Sequence, residues 1–149
     1  MRGLIWIAAL FVTGCSAEFW DMTPSTQIAI EPGTAATLRI DRVEVRSSYY
    51  DPPDAFSRAF VPALKARTDV CLSGPAGATA VVFVHALDRG SDLSDGRLSA
   101  SVEVKDARGR VLARFPVAVD LPTAGDVEAR RRAAGDLFGQ SICTELGAR

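Results

Sequence analysis

At 149 residues, 48% hydrophobic and 23% charged, the chain is one domain's length and has enough apolar material to fill a core without a metal or cofactor. A formal charge of −1 excludes the basic excess that draws nucleic acid, and no polybasic cluster is present to bind anionic lipid. One histidine and three cysteines leave little for a metal centre, and no ligand spacing links them.

The chain starts with one early cation, Arg2, an apolar run from Leu4 to Val12, and small residues after it. That is the layout of a short secretory signal, and the run falls well short of the about 20 apolar residues that a membrane-spanning helix needs. Val12-Thr13-Gly14-Cys15 resembles the lipobox of bacterial lipoproteins. The resemblance implies that residues 1–14 are a signal peptide, that the cut falls before Cys15, and that Cys15 carries the lipid. Ser16 after the cysteine, in place of Asp, resembles the outer-membrane sorting pattern of Gram-negative lipoproteins. The implied location is the periplasmic side of a membrane, most simply the outer one, with the membrane itself as a partner through the lipid. The remaining 135 residues carry −2 once Arg2 is gone.

Residues 15–35 are expected to form a tether: Ser16 to Thr26 is polar, contains Pro24 and lacks periodicity. Phe19-Trp20 are aromatics of the kind that settle at a membrane interface or pack on a domain. Ile28 and Ile30 alternate, which predicts a short strand over Gln27–Glu31 before the Glu31-Pro32-Gly33 turn. The domain is expected at 36–149.

Its first strand is predicted from Thr37 to Arg46. Leu38 and Ile40 share one phase, Val43 and Val45 the next, so the phase slips at Asp41-Arg42 and predicts a bulge. A loop holding Tyr49, Tyr50 and Pro52-Pro53 leads to a helix, with Asp51 able to cap it. Phe56, Phe60 and Leu64 recur every four residues on one helix face. Pro62 inside that pattern is expected to kink or shorten the helix, ending it near Thr68. Cys71 to Ala78 reads as loop. Ala80–Leu87 is short, unbroken and β-branched, as in a strand covered on both faces. After a Gly/Ser/Asp turn over Gly90–Gly96, Leu98 to Lys105 alternates, Asp106-Ala107-Arg108-Gly109 turns, and Val111 to Leu121 alternates back. Pro116 marks that last strand as an edge or as interrupted. A final helix is predicted over Gly125–Leu146, opened by a Thr123/Asp126 capping pair, with Val127, Ala134, Leu137, Phe138 and Ile142 on one face. Gly135 and Gly139 are expected to weaken it or to let it approach the sheet closely.

The implied fold class is α+β, a two-layer sandwich in which a mixed three- to four-stranded sheet carries two helices on one face. The element order is similar to several small bacterial envelope lipoproteins: the lipopolysaccharide-assembly lipoprotein, auxiliary lipoproteins of lipid-transport ABC systems, and uncharacterised families of this size. The first of these carries a Gly-Phe pair directly after the lipidated cysteine, where this chain has Ser16-Ala17-Glu18. No functional residue therefore carries over beyond Cys15.

Few residues suggest chemistry. His85 is the sole histidine, so a Ser/His/Asp triad would have to use it. It is expected mid-strand as a hydrogen-bonded core or edge side chain. Asp88, Asp92 and Asp95 read as turn formers; the segment lacks the density and terminal acid of a calcium loop. Arg130-Arg131-Arg132 read as a charge-mixed helix face. With Cys15 assigned to lipid, a Cys71–Cys143 disulfide is the simplest account in an oxidising compartment. The alternative is two buried thiols, and Cys143 lies off the apolar stripe of its helix, which counts against the bond. Tyr49 and Tyr50, adjacent in a loop, are the residues expected to meet a partner. The function implied is a membrane-anchored envelope lipoprotein that binds or scaffolds an envelope protein. No enzyme activity, cofactor or metal is expected. An auxiliary role in lipid or lipopolysaccharide transport is the alternative, and a small periplasmic hydrolase the remoter one.

Overall fold

Among the described residues, four strands lie side by side in chain order in one sheet, with two α-helices packed on one face. The computed structural model describes residues 26–31, 33–47, 55–85, 93 and 96–147. The elements are β1 (Leu38–Ser47), α1 (Ala55–Cys71), β2 (Ala76–Val84), β3 (Arg97–Asp106), β4 (Val111–Asp120) and α2 (Val127–Glu145). The pair β1 and β2 runs parallel, and α1 is the crossover between them; β2, β3 and β4 are antiparallel neighbours. The α+β sandwich expected from the sequence is the observed architecture. Cys15, the tether through Pro24, Tyr49, Tyr50, Asp51, Asp88, Asp92 and Asp95 fall outside the described residues.

The core lies between the layers. Ile40, Ala80, Val82, Val102, Val104 and Ala113 from the sheet meet Phe60, Leu64, Phe138 and Ile142 from the helices, all essentially dry. Phe60 stacks on Phe56 at 4.9 Å and meets the Phe138 ring edge-on at 5.3 Å. The bulge expected in β1 is present: the register with β2 shifts between Ile40 and Arg42, leaving Asp41 as the extra residue.

Several boundaries differ from expectation, each for a physical reason. Pro62 does not shorten α1, which continues to Cys71. Pro62 is exposed, and the buried side chains of Phe60, Leu64 and Thr68 anchor the helix on both sides of the lost donor. Strand β2 begins at Ala76, because Gly77 pairs with β1 and Thr79 with both β1 and β3, and its last residue is Val84. Asp126, not Thr123, caps α2: its Oδ1 accepts from the Ala129 amide at 2.7 Å.

Pro116 does sit on an edge strand, and its direction explains why it is tolerated. The Arg114 N–H and C=O both bond Ile28, at 2.9 Å each, on the side away from β3. Two residues on, the nitrogen of Pro116 faces the same outer side, where the ladder to β3 loses nothing. The short strand predicted over Gln27–Glu31 is this single bridge.

Gly135 and Gly139 approach α1, not the sheet. A Cβ on Gly135 would collide with the Phe60 carbonyl oxygen, and one on Gly139 would lie 2.7 Å from the Arg67 Cβ. Cys143 continues the same line at i+4, so this second face of α2 carries it to Cys71, and a disulfide joins the two with Cα atoms 6.0 Å apart. The helix does not fray to make the bond; it has two buried faces where one apolar stripe was expected.

Candidate functional site

The outer face of the sheet, opposite the helices, carries most of the polar side chains that the strands position. Cross-strand pairing lines up Glu44, Val81, Glu103 and Arg114 in one row, and Arg46, Phe83, Ser101 and Pro116 in the next. Glu103 sits at the centre, only 12% exposed, held by Arg114 at 2.6 Å and Lys105 at 3.0 Å. Burial pushes its carboxyl toward the neutral form, but the hydrogen bonds from Lys105 and Arg114 outweigh this and hold its pKa below the usual glutamate value. Glu44 is shared by Arg46 at 3.0 Å and Arg42 at 3.3 Å. The Arg46 guanidinium also lies 5.8 Å from the Phe83 ring centroid. These long side chains pack around Val81, only 1% exposed, and Ser101, 5% exposed, on a face that neither α1 nor α2 covers.

His85 is on this face too, but not mid-strand. It follows the last residue of β2, half-buried, with its N–H donating to the Ser99 carbonyl. Its Nε2 is 2.7 Å from Ser101 Oγ. The sequence expectation of a hydrogen-bonded histidine holds, at the end of the strand. Among the described residues no carboxylate is hydrogen-bonded to its ring. No group of three potential metal ligands occurs among the described residues. No helix there is long and apolar enough to cross a membrane.

The basic run of α2 is partly built in: Arg132 pairs with Glu128 at 2.6 Å, while Arg130 and Arg131 are half-buried. Neighbouring Asp136 receives a two-pronged bond from Arg67 of α1, at 2.9 and 3.0 Å.

A feature that the sequence reading did not single out lies at the β1 edge. A groove of about 670 Å³ is lined by Arg42, Val43, Glu44, Val45 and Arg46 together with Arg58, Val61 and Pro62 of α1. Five consecutive strand residues line it, so it follows the backbone edge and not one face of the sheet. The His85–Ser99 bond shows that odd residues of β2 turn their backbone groups toward β3, and even ones toward β1. The bonds of Ala80 and Val82 then bracket Glu44, the partner of Val81, and the amides and carbonyls of Val43 and Val45 face the groove. The signal that could have found it is the Arg-Val-Glu-Val-Arg alternation that follows the bulge.

No protein-family model matches the chain, and no curated protein sequence matches it significantly. Similar solved structures include a candidate lipoprotein from Caulobacter crescentus, 13% identical, covering 68% of this chain and 86% of that one, with a TM-score of 0.39. A PelC dodecamer from Paraburkholderia phytofirmans is 17% identical over 83% of this chain and 96% of that one, TM-score 0.41. The N-terminal domain of Thermus thermophilus Protein Y is 20% identical over 71% and 97%, TM-score 0.32. These are distant likenesses, and no function is carried over from them.

Proposed function

We propose that this chain is a lipid-anchored envelope protein of the periplasm that binds or scaffolds a protein partner and performs no catalysis. The observation that carries the reading is the Val12-Thr13-Gly14-Cys15 box after a short apolar run. The Cys71–Cys143 disulfide supports it, since such bonds persist in exported proteins. Ser16 favours the outer membrane. The transport alternative would be marked by a wide apolar groove between helices and sheet; the interior of that layer is filled by Phe60, Phe138 and Ile142, and the groove at the β1 edge carries three arginines, so the partner-binding reading is preferred.

The test is the mass of the mature protein after expression of the full chain in a Gram-negative host. A chain that begins at a triacylated or diacylated Cys15 is the expected product, and Cys15→Ser is expected to leave unprocessed precursor. An intact Met1, or an unmodified Cys15 at the new terminus, defeats the lipoprotein reading. In the native host, His85→Gln is expected to leave the phenotype unchanged at normal protein level, whereas a catalytic histidine would not tolerate the change.

A further inference from the structure

We propose that the second half of the β1 edge, residues 42–46 with the facing turn of α1, is a docking site for an extended acidic segment of a partner protein, taken up by strand addition. The proposal rests on the partner-binding reading above and names its surface.

The sheet has two edges, and among the described residues three of the four half-edges so formed are protected or covered. On β4, Ile28 occupies the outer side of Arg114 and Pro116 withholds a donor. On β1, the first half is covered: the Leu38 carbonyl accepts from the Gly74 amide at 2.8 Å, and the Ile40 carbonyl accepts from Lys65 Nζ at 3.1 Å. Past the bulge at Asp41 this cover ends, and the amides and carbonyls of Val43 and Val45 face a groove and not a protein segment among the described residues. Strand addition needs an edge of this kind, with main-chain groups in line and side-chain pockets beside them. Val43, Val61 and Pro62 supply apolar contact on the helix side.

Charge selects the occupant. Among the described residues, Arg42, Arg46 and Arg58 line the groove against one carboxylate, Glu44, which Arg42 and Arg46 already share. The surplus is positive, so a segment with acidic residues at alternate positions is favoured and a basic one is repelled. A polypeptide is favoured over an anionic membrane by position. Ile28, which leads toward the lipidated terminus, pairs at β4, three strands away from the groove.

The experiment uses the mature lipidated protein in detergent and a fluorescent, end-blocked heptapeptide of alternating glutamate and valine. Anisotropy reports binding, and hydrogen exchange reports where it occurs. The acidic peptide is expected to bind about 10-fold or more tightly than the same peptide with lysine for glutamate, and to weaken with salt. It is expected to slow exchange across residues 42–47. Methylating the amides on one edge of the peptide, which leaves its charge intact, is expected to weaken binding by about 10-fold or more. Val43→Pro removes an edge donor without touching the β1–β2 ladder and is expected to do the same. The methylated peptide decides the matter if that variant folds poorly.

Equal binding of the acidic and lysine peptides overturns the proposal, as does indifference to methylation or no binding up to about 1 mM, a limit already weak for a specific complex. So does protection of residues 42–47 by phosphatidylglycerol vesicles alone, or by raised protein concentration alone, which would assign the edge to a membrane or to a second copy. Should the peptide fail while crosslinking in the native host still maps a neighbouring protein onto another face, the partner-binding reading stands and only this surface falls.

Discussion

The outer side of the seam between α1 and α2 and the outer face of the sheet both exclude water, and they do it in opposite ways. The seam uses absence: Gly135 and Gly139 let the helix backbones approach, and Cys143 locks the end of the line to Cys71. The outer face uses length: the stems of Arg46, Lys105 and Arg114 drape over Val81, Phe83 and Ser101, with their charges tied to Glu44 and Glu103. A seam defined by backbone contact has nowhere to put an added atom, whereas flexible side chains can lose a partner and rearrange. Substitutions are therefore expected to be costly in the first region and mild in the second.

A large effect is expected from Gly135→Ala. The new methyl meets the Phe60 carbonyl, and backbone cannot step aside as a side chain would. Overpacking of this kind costs roughly 3 kcal/mol, against the about 1 kcal/mol that alanine gains over glycine within a helix. Urea denaturation is expected to show a net loss, with Gly139→Ala milder because its nearest neighbour is the Arg67 side chain. A stabilised Gly135→Ala protein would mean that the helices part easily and that the seam is not sterically fixed.

The disulfide is expected to matter at least as much. Its partners are 72 positions apart, and in the chain-entropy model a loop of that size contributes up to about 4 kcal/mol. Replacing both Cys71 and Cys143 with Ser, or reducing the bond, is expected to lower the thermal midpoint strongly. Two reactive thiols in denatured, unreduced periplasmic protein would show that the bond does not form in the cell.

The outer face is expected to give less. Glu103→Gln keeps the shape and removes the charge that Lys105 and Arg114 share, a loss of about 1 kcal/mol for a largely covered pair. The acid dependence has a definite sign. The folded carboxyl titrates below its unfolded value, so its contribution is complete above about pH 4.3, the ordinary glutamate pKa. It is lost as pH falls through the folded value. The stability gap between the natural protein and Glu103→Gln is therefore expected to be constant near neutrality and to close in acid. A gap that widens in acid would reverse the assignment.

The same contrast explains what was legible in the sequence. Period-two alternation wrote out β3 and β4, and the phase slip at Asp41-Arg42 wrote out the bulge, because those signals are local. The apolar stripe of α2 gave its sheet face. Its second face was hidden, since glycine carries no hydrophobic signal and Gly135, Gly139 and Cys143 acquire meaning only when α1 lies across them. The break expected at Pro62 does not occur because local propensity takes no account of the burial of Phe60 and Leu64. The pairing of His85 with Ser101, 16 residues apart, and the groove beside Arg42 and Arg46 depend on strand order, which no single segment encodes.

The smallest effect is expected where the seam carries charge. Arg67 and Asp136 bridge α1 and α2 with two hydrogen bonds, and the Asp136 carboxylate raises the Arg67 pKa further above its ordinary value. By geometry alone this looks like a clasp on the two helices. Both side chains are nonetheless about half exposed, 41% and 48%, so water competes for each and salt screens the pair. If close backbone approach and the disulfide hold the seam, Asp136→Asn is expected to leave the denaturation midpoint within experimental error of the natural protein. Any residual difference is expected to shrink as salt is raised. A clear loss that persists in high salt would mean that the helices are held by charge, and it would erase the distinction between the seam and the outer face.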